Sequence, residues 1–350
     1  MVHVGIIGCG RITEYRHAPE YLENEQVKLL GFADAKPGQA QLMADRFGGK
    51  DYGTTESLLA DPAIDAVSVC VANTFHAEVT LAALRAGKHV LLEKPMAATL
   101  KECEAIADEA KKSGKIVMLG HNQRFAPAHI KAKEMIASGA IGRVLSFHTV
   151  FGHSGPEIWT RNPNSWFIHR DRAAFGVLGD LGIHKTDLIH YLLDDPIVEV
   201  SAQLGTLDKR YTDGTLIDLE DNATALYRTR SGVMGTMHVS WTFTACEENS
   251  TRIYGTKGVL RLYDDPRFSL IYEPAEGEVQ QFRFRGLTSN EEQKAGKREN
   301  TGVINAFIES IITGRRPPID AQEALKAMRV IFAAIESAES GKMVTVEQEQ

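Results

Sequence analysis

The sequence predicts an α/β chain of two domains, a doubly wound parallel sheet followed by a domain whose strands are mostly antiparallel. Three observations carry this. Apolar, β-branched runs alternate with helix-period segments through roughly the first 120 residues. Beyond that point, strand-like segments that alternate apolar and polar residues take over. The length of 350 residues also exceeds what one ordinary core organises. We place the boundary after residue 121, giving domains 1–121 and 122–350.

In the first domain the segments 2–7, 27–33, 66–71, 89–92 and 115–119 are apolar at nearly every position, as strands covered on both faces are. Helical periodicity near 38–47, 77–86 and 100–112 separates them. Right-handed crossovers then bring the C-terminal ends of the strands to one edge, where ligands of this architecture bind. In the second domain a helix near 127–138 leads to a strand at 144–151, then to an irregular loop rich in Gly, Pro, Asn and aromatic residues. A helix follows from about 179 to 193, then strands at 198–204, 223–228, 233–243, 252–254, 259–262, 269–272 and 279–284. Amphipathic helices near 303–313 and 321–340 close the chain.

Composition narrows the function classes. Hydrophobic residues make up 43% and charged residues 24%, the balance of a globular protein, and the net charge of −7 gives no general attraction to nucleic acid or to an anionic membrane. Any phosphate on a ligand must therefore be held by local groups. Cys9, Cys70, Cys103 and Cys246 lie far apart, which argues against a disulfide scaffold or a thiolate metal site and suits a reducing cytoplasm. No apolar stretch has the length needed to span a bilayer.

The first chemical motif is Gly8-Cys9-Gly10-Arg11-Ile12-Thr13, directly after the first strand. Gly8 allows a tight turn, and Gly10 lets the backbone approach a pyrophosphate resting on the next helix N-terminus. Thr13 stands where this motif usually has its third glycine, so we expect looser strand–helix packing there. Asp34, ending the second strand, is placed to accept hydrogen bonds from ribose hydroxyls and to repel a 2′-phosphate, favouring NAD over NADP. Nearby Lys36 softens that preference, so NADP stays possible. An ordinary turn with a solvated aspartate is the alternative.

Two further motifs carry polar chemistry. Glu93-Lys94-Pro95 leaves the strand 89–92 at the ligand edge, where an ammonium can support charge developing on a substrate oxygen. Asp180-Leu181-Gly182-Ile183-His184 puts a carboxylate and an imidazole four residues apart, on one face of a helix. His184 can exchange a proton near neutrality, with Asp180 orienting it or binding a neighbouring hydroxyl. Asp187 and His190 extend this pattern into a conceivable zinc site, but such spacing is common on helices and we assign no metal.

With these elements in order, the chain resembles the Gfo/Idh/MocA oxidoreductases over essentially its whole length. The resemblance is carried by Gly8-x-Gly10, Asp34, Asn73-Thr74-Phe75-His76, Glu93-Lys94-Pro95 and Asp180-x-x-x-His184. The family commonly has Thr-Pro-Asn before its histidine, whereas Val71-Ala72 precede Asn73 here. The resemblance implies a Rossmann domain and a second α/β domain with a large, open, mostly antiparallel sheet, often packed against its counterpart in homodimers or homotetramers. It implies NAD-linked chemistry on sugars, cyclitols and their derivatives, of the inositol dehydrogenase and sugar 3-dehydrogenase kind. Lys94 matches the lysine that touches substrate and nicotinamide, His184 the acid/base and Asp180 its substrate-binding partner. Asn73, His76, Glu93 and Asn122 match positions lining the nicotinamide end.

The expected reaction moves a hydride between the cofactor and a ring secondary alcohol, with Lys94, Asp180 and His184 as the catalytic set. His153, Trp159, Arg161, Asn164, Trp166 and Arg172 are expected to supply the polar groups and flat walls of a polyol site, joined by Trp241 and His238. Arg124, Arg161, Arg170 and Arg172 are candidates for holding a sugar phosphate. Three rivals are a cofactor- or sugar-binding sensor, an enzyme that holds NAD and catalyses a net non-redox sugar reaction, and a metal-dependent hydrolase or isomerase.

Overall fold

Strands β1 (Val2–Ile7), β2 (Val27–Ala33), β3 (Lys50–Asp51), β4 (Ala66–Val69), β5 (His89–Leu92) and β6 (Val117–Leu119) form a parallel sheet in the order β3-β2-β1-β4-β5-β6. This is the doubly wound order, and its chain reversal lies between β1 and β4. The computed structural model describes residues 1–287 and 300–347. Val4, Ile6, Val67, Val69, Val90 and Leu91 are fully buried, as a sheet covered on both faces requires. The short edge strand β3 escapes sequence reading because its two residues, Lys50 and Asp51, are exposed and polar.

The chain divides into two compact units, Met1–Asn122 with the described part of Glu291–Leu325, and the described parts of Gln123–Asn290 and Lys326–Gln350. This differs from the sequence expectation in where the described part of 291–325 falls, which includes the first residues of the last helix. The helix Val303–Thr313, expected in the second domain, belongs to the unit of the parallel sheet and packs on β1. Its apolar face says that it covers a core but not which one. What ties it there is a distant partner. Buried Glu20 accepts the Thr301 N–H at 3.0 Å and the Thr301 hydroxyl at 2.9 Å, just ahead of that helix.

The second unit carries β7 (Val144–Gly152), β8 (Ile197–Gly205), β9 (Asn222–Thr229), β10 (Met234–Ser240), β11 (Glu248–Gly255), β12 (Gly258–Asp265), β13 (Phe268–Pro274), β14 (Gln280–Phe282) and β15 (Val344–Thr345). They form a nine-stranded sheet, β14-β13-β12-β11-β7-β10-β9-β8-β15, antiparallel except where β10 runs parallel to β7. Alternation decides its two faces. Tyr227, Met237, Val239 and Ile253 are buried, and Thr186 on the helix Ile183–Leu193 meets the Tyr227 hydroxyl at 3.1 Å. Leu226 and Met234 project from the opposite face and are largely exposed. Among the described residues no helix is long and apolar enough to cross a membrane.

Candidate functional site

In the first unit the ends of β1, β2, β4 and β5 lie on one edge. Gly8 has φ +92°, and a β-carbon there would sit 2.4 Å from the Cys70 carbonyl oxygen at the exit of β4. Only glycine fits that approach. Gly10 is different: a β-carbon would meet open space. The Cys9 N–H donates to Asp34 Oδ2 at 2.6 Å, and Asp34 Oδ1 accepts the Lys36 N–H at 2.7 Å, so the carboxylate fixes the glycine turn. Open space above Gly10, a carboxylate at the end of β2 and a helix start beyond together fit the phosphates and ribose of a dinucleotide.

Thr13 does not loosen the packing. It is fully buried, its hydroxyl donates to the Gly8 carbonyl at 2.6 Å, and it opens a π-helical turn, Thr13–His17. Arg11 and Ile12 are half-buried; the Arg11 guanidinium lies 4.2 Å from the centre of the Tyr15 ring and donates to the Tyr15 hydroxyl at 3.1 Å.

Asn73 and His76 are buried in the turn after β4. The His76 ring spans two loops, with Nδ1 2.6 Å from the Pro95 carbonyl and Nε2 3.1 Å from the Val71 carbonyl. Burial, assisted by the Lys94 charge and opposed by the carbonyls and Glu93, pushes its pKa down. A neutral ring donates to one of the two carbonyls, and the shorter contact marks Pro95. His76 therefore ties the β4 exit to the Lys94-Pro95 turn, where the peptide bond is cis. Glu93 Oε2 accepts the Lys94 N–H at 3.2 Å; Lys94 and Asn122 are half-buried.

In the second unit the expected helix from about residue 179 starts as a π-helical turn, Leu178–Gly182, and becomes α-helical at Ile183–Leu193. The π turn spreads side chains more widely than an α-helix does, and such turns recur at functional sites. The Gly176 and Leu178 N–H groups donate to the Glu220 carboxylate at 2.9 and 3.2 Å, closing the helix start. Asp180 is buried, and its Oδ2 accepts the Trp241 indole N–H at 3.0 Å. His153 Nδ1 accepts the Gly155 N–H at 3.0 Å, leaving its protonated Nε2 3.9 Å from Asp180 Oδ2. The Phe151 ring centre lies 6.0 Å from those of His153 and His184.

From Phe175 to His190 every residue is buried except His184, which is half-exposed. The helix thus leaves one titratable group accessible, one turn after a carboxylate that the Trp241 indole holds and the His153 ring approaches. Asp187 is committed elsewhere, accepting from Arg124 Nε at 2.8 Å and Nη2 at 2.6 Å, and His190 Nε2 accepts the Ile197 N–H at 3.1 Å. Among the described residues no group of three or more His, Cys, Asp or Glu is arranged to hold a metal.

Two other expectations, Trp241 and His238, need correction, and the remaining candidates are placed as follows. Trp241 is no pocket wall: it is fully buried and acts on Asp180. His238 lies on the outer sheet face, in line with Thr224, whose hydroxyl is 2.8 Å from its Nδ1. Arg124 is buried against Asp187, whereas Arg161, Arg170 and Arg172 are exposed, the latter two beside Asp218 and Asp171. Trp159 and Trp166 are half-exposed and flank Phe167, with ring centres 5.1 and 3.9 Å from it. Asn164 is exposed, its Oδ1 2.7 Å from His169 Nε2.

Sequence reading missed Lys185, which is fully buried beside His184. Its Nζ donates to the Ser250 carbonyl at 3.2 Å and to the Thr251 hydroxyl at 3.3 Å. Burial pushes its pKa down to about 7, against the opposing pull of Glu248. Between about pH 7 and the ordinary lysine value of about 10.4, the unfolded chain binds the extra proton, so this residue makes stability rise with pH. We predict that wild type gains stability relative to Lys185→Met across that window in denaturant titrations; a pH-independent difference would contradict this.

The family model described as an oxidoreductase family with an NAD-binding Rossmann fold matches residues 2–121, and the GFO/IDH/MocA C-terminal domain matches residues 129–261. A 1,5-anhydro-D-fructose reductase of Ensifer adhaerens is 34% identical over 242 residues, covering 66% of this chain and 68% of that protein. A myo-inositol 2-dehydrogenase of Thermotoga maritima is 26% identical over 349 residues, covering 99% of each chain. The solved structure of a levoglucosan dehydrogenase in complex with NADH superposes with a TM-score of 0.88 at 26% identity, covering 99% of this chain and 100% of that one. With a parallel nucleotide-binding sheet, a nine-stranded second sheet and matches to both domains, the chain belongs to the Gfo/Idh/MocA family of NAD-binding oxidoreductases.

Proposed function

We propose that this protein interconverts a ring secondary alcohol and a ketone on a sugar, cyclitol or close derivative. The observation that carries this is His184, the one accessible residue in a buried helical run, beside a buried Asp180. The polyol-acting names of the relatives support the substrate class. Bound NAD supplies the hydride acceptor. In the oxidising direction the hydroxyl proton passes to His184 as the carbinol C–H bond breaks, so that one hydride and one proton leave the substrate. Asp180 fixes the imidazole or a neighbouring hydroxyl, and the Trp241 N–H keeps that carboxylate in place. Lys94 lends positive charge to the substrate oxygen. His153, and Trp159, Arg161 and Trp166 of the same unit, recognise the remaining hydroxyls and the apolar ring faces.

Gly8, Cys9, Gly10, Arg11 and Ile12 form the proposed phosphate cradle, Asp34 holds the ribose, and Asn73, His76, Glu93, Lys94 and Asn122 frame the nicotinamide. Two experiments test these assignments. Gly10→Ala keeps the wild-type melting temperature, because its β-carbon meets only open space, yet weakens NADH binding measured by fluorescence titration. Unchanged affinity would remove Gly10 from the cradle. With NAD and a panel of inositols and sugars, His184→Ala lowers turnover by about 10²–10⁴-fold, and Lys94→Ala by about 10²–10³-fold. Retained turnover in either variant would remove that residue from the mechanism, and NAD binding without turnover of any polyol would favour a sensor.

A further inference from the structure

Ser68 is fully buried within β4, and with Tyr21 and His17 it forms a line of polar groups that the proposed chemistry does not use. The Tyr21 and Ser68 hydroxyl oxygens are 2.7 Å apart, and Ser68 Oγ is 2.9 Å from His17 Nδ1. The other ring nitrogen, His17 Nε2, lies 2.8 Å from Glu93 Oε1. Glu93 Oε2 then accepts the Lys94 backbone N–H. The line therefore starts in the first helix, crosses under the sheet edge and ends on the turn that carries Lys94.

Charge explains why a histidine stands there. The Glu93 carboxylate is mostly shielded from solvent, and a carboxylate so placed needs a counter-charge. Nε2 faces that carboxylate and Nδ1 faces a hydroxyl oxygen, so an imidazolium can donate from both nitrogens. Burial alone would strip its proton, but the Cys70 sulfur and the Glu93 carboxylate reverse this and hold the ring well above its ordinary value. Burial pushes Glu93 up, and His17 and Lys94 more than offset it, so the carboxylate stays below its ordinary range. The two directions agree on a buried ion pair. The charged or titratable neighbours are Arg16, Glu20 and Tyr21 on the first helix, Cys70 and His76 beyond β4 and Lys94 beyond β5.

We propose that His17 is a positioning residue for Lys94: as the cation of a buried pair it holds the Glu93 carboxylate, which in turn fixes the Lys94 backbone. The inference rests on the role given to Lys94. Ser68 and Tyr21 orient the imidazole and touch no substrate. Without the cation, Glu93 takes up a proton at higher pH and loosens its grip on the turn, so the defect appears foremost in kcat and its pH dependence.

The test combines a readout independent of activity with kinetics. In ¹⁵N-histidine NMR of the whole protein, the resonance lost in His17→Gln should show both nitrogens still protonated at a pH where an ordinary histidine has lost its proton. In Glu93→Gln it should titrate nearer that ordinary value. His17→Gln should lower kcat by about tenfold or more through misplacement of Lys94, and move the acid limb of the kcat profile to higher pH. A neutral His17 in wild type at that pH would overturn the proposal even if the variant fails to fold. So would a His17→Gln enzyme with normal kcat beside an inactive Lys94→Ala. Should Lys94→Ala itself keep full turnover, the role of Lys94 falls and this inference with it, whatever the NMR reports.

Discussion

Gly8 is the constraint on which the nucleotide-binding edge depends. The exits of β1 and β4 approach so closely that the backbone there admits no side chain. That approach is what places the glycine turn, the segment around Asn73 and His76, and the Lys94-Pro95 turn on one edge. Cross-ties then remove their freedom: Asp34 grips Cys9, Thr13 grips Gly8, and His76 links the Val71 and Pro95 carbonyls. Gly10 faces open space.

Both units solve the same electrostatic problem. Each buries a carboxylate beside its proposed catalytic group, Glu93 next to Lys94 and Asp180 one turn before His184. A buried carboxylate costs several kcal/mol unless donors meet it. Glu93 is met by an imidazole and a backbone N–H, and Asp180 by an indole N–H with a second imidazole close by. Such pre-set groups need little reorganisation when charge moves, which is the main source of electrostatic catalysis. The π-helical turn around Asp180, closed by Glu220, leaves His184 as the accessible group in an otherwise buried run.

The strands of the parallel sheet were legible because runs apolar at every position mean burial on both faces. The alternating strands of the second sheet were legible for the opposite reason. Asp34, Lys94, Asp180 and His184 stood out because glycine turns, strand ends and helical spacing mark such positions. What stayed hidden was long-range pairing. Nothing local says that Glu20 anchors Thr301, that His17 faces Glu93 across 76 positions, or that Trp241 reaches Asp180. Trp241 reads as a pocket aromatic because its partner lies 61 positions away. Lys185 reads as a surface lysine, since burial of a lone ammonium is rare. Thr13 looked like a defect in a glycine motif, and its hydroxyl in fact closes the turn.

The proposed reaction passes one hydride directly from a carbinol carbon to the nicotinamide. It is tested most directly by incubating the protein with NAD and a polyol deuterated at its ring carbinol positions, then locating the label by mass spectrometry and NMR. One deuterium at C4 of the reduced nicotinamide is expected for each ketone formed. Reduced cofactor without deuterium, or sugar converted with no label reaching the nicotinamide, would contradict it.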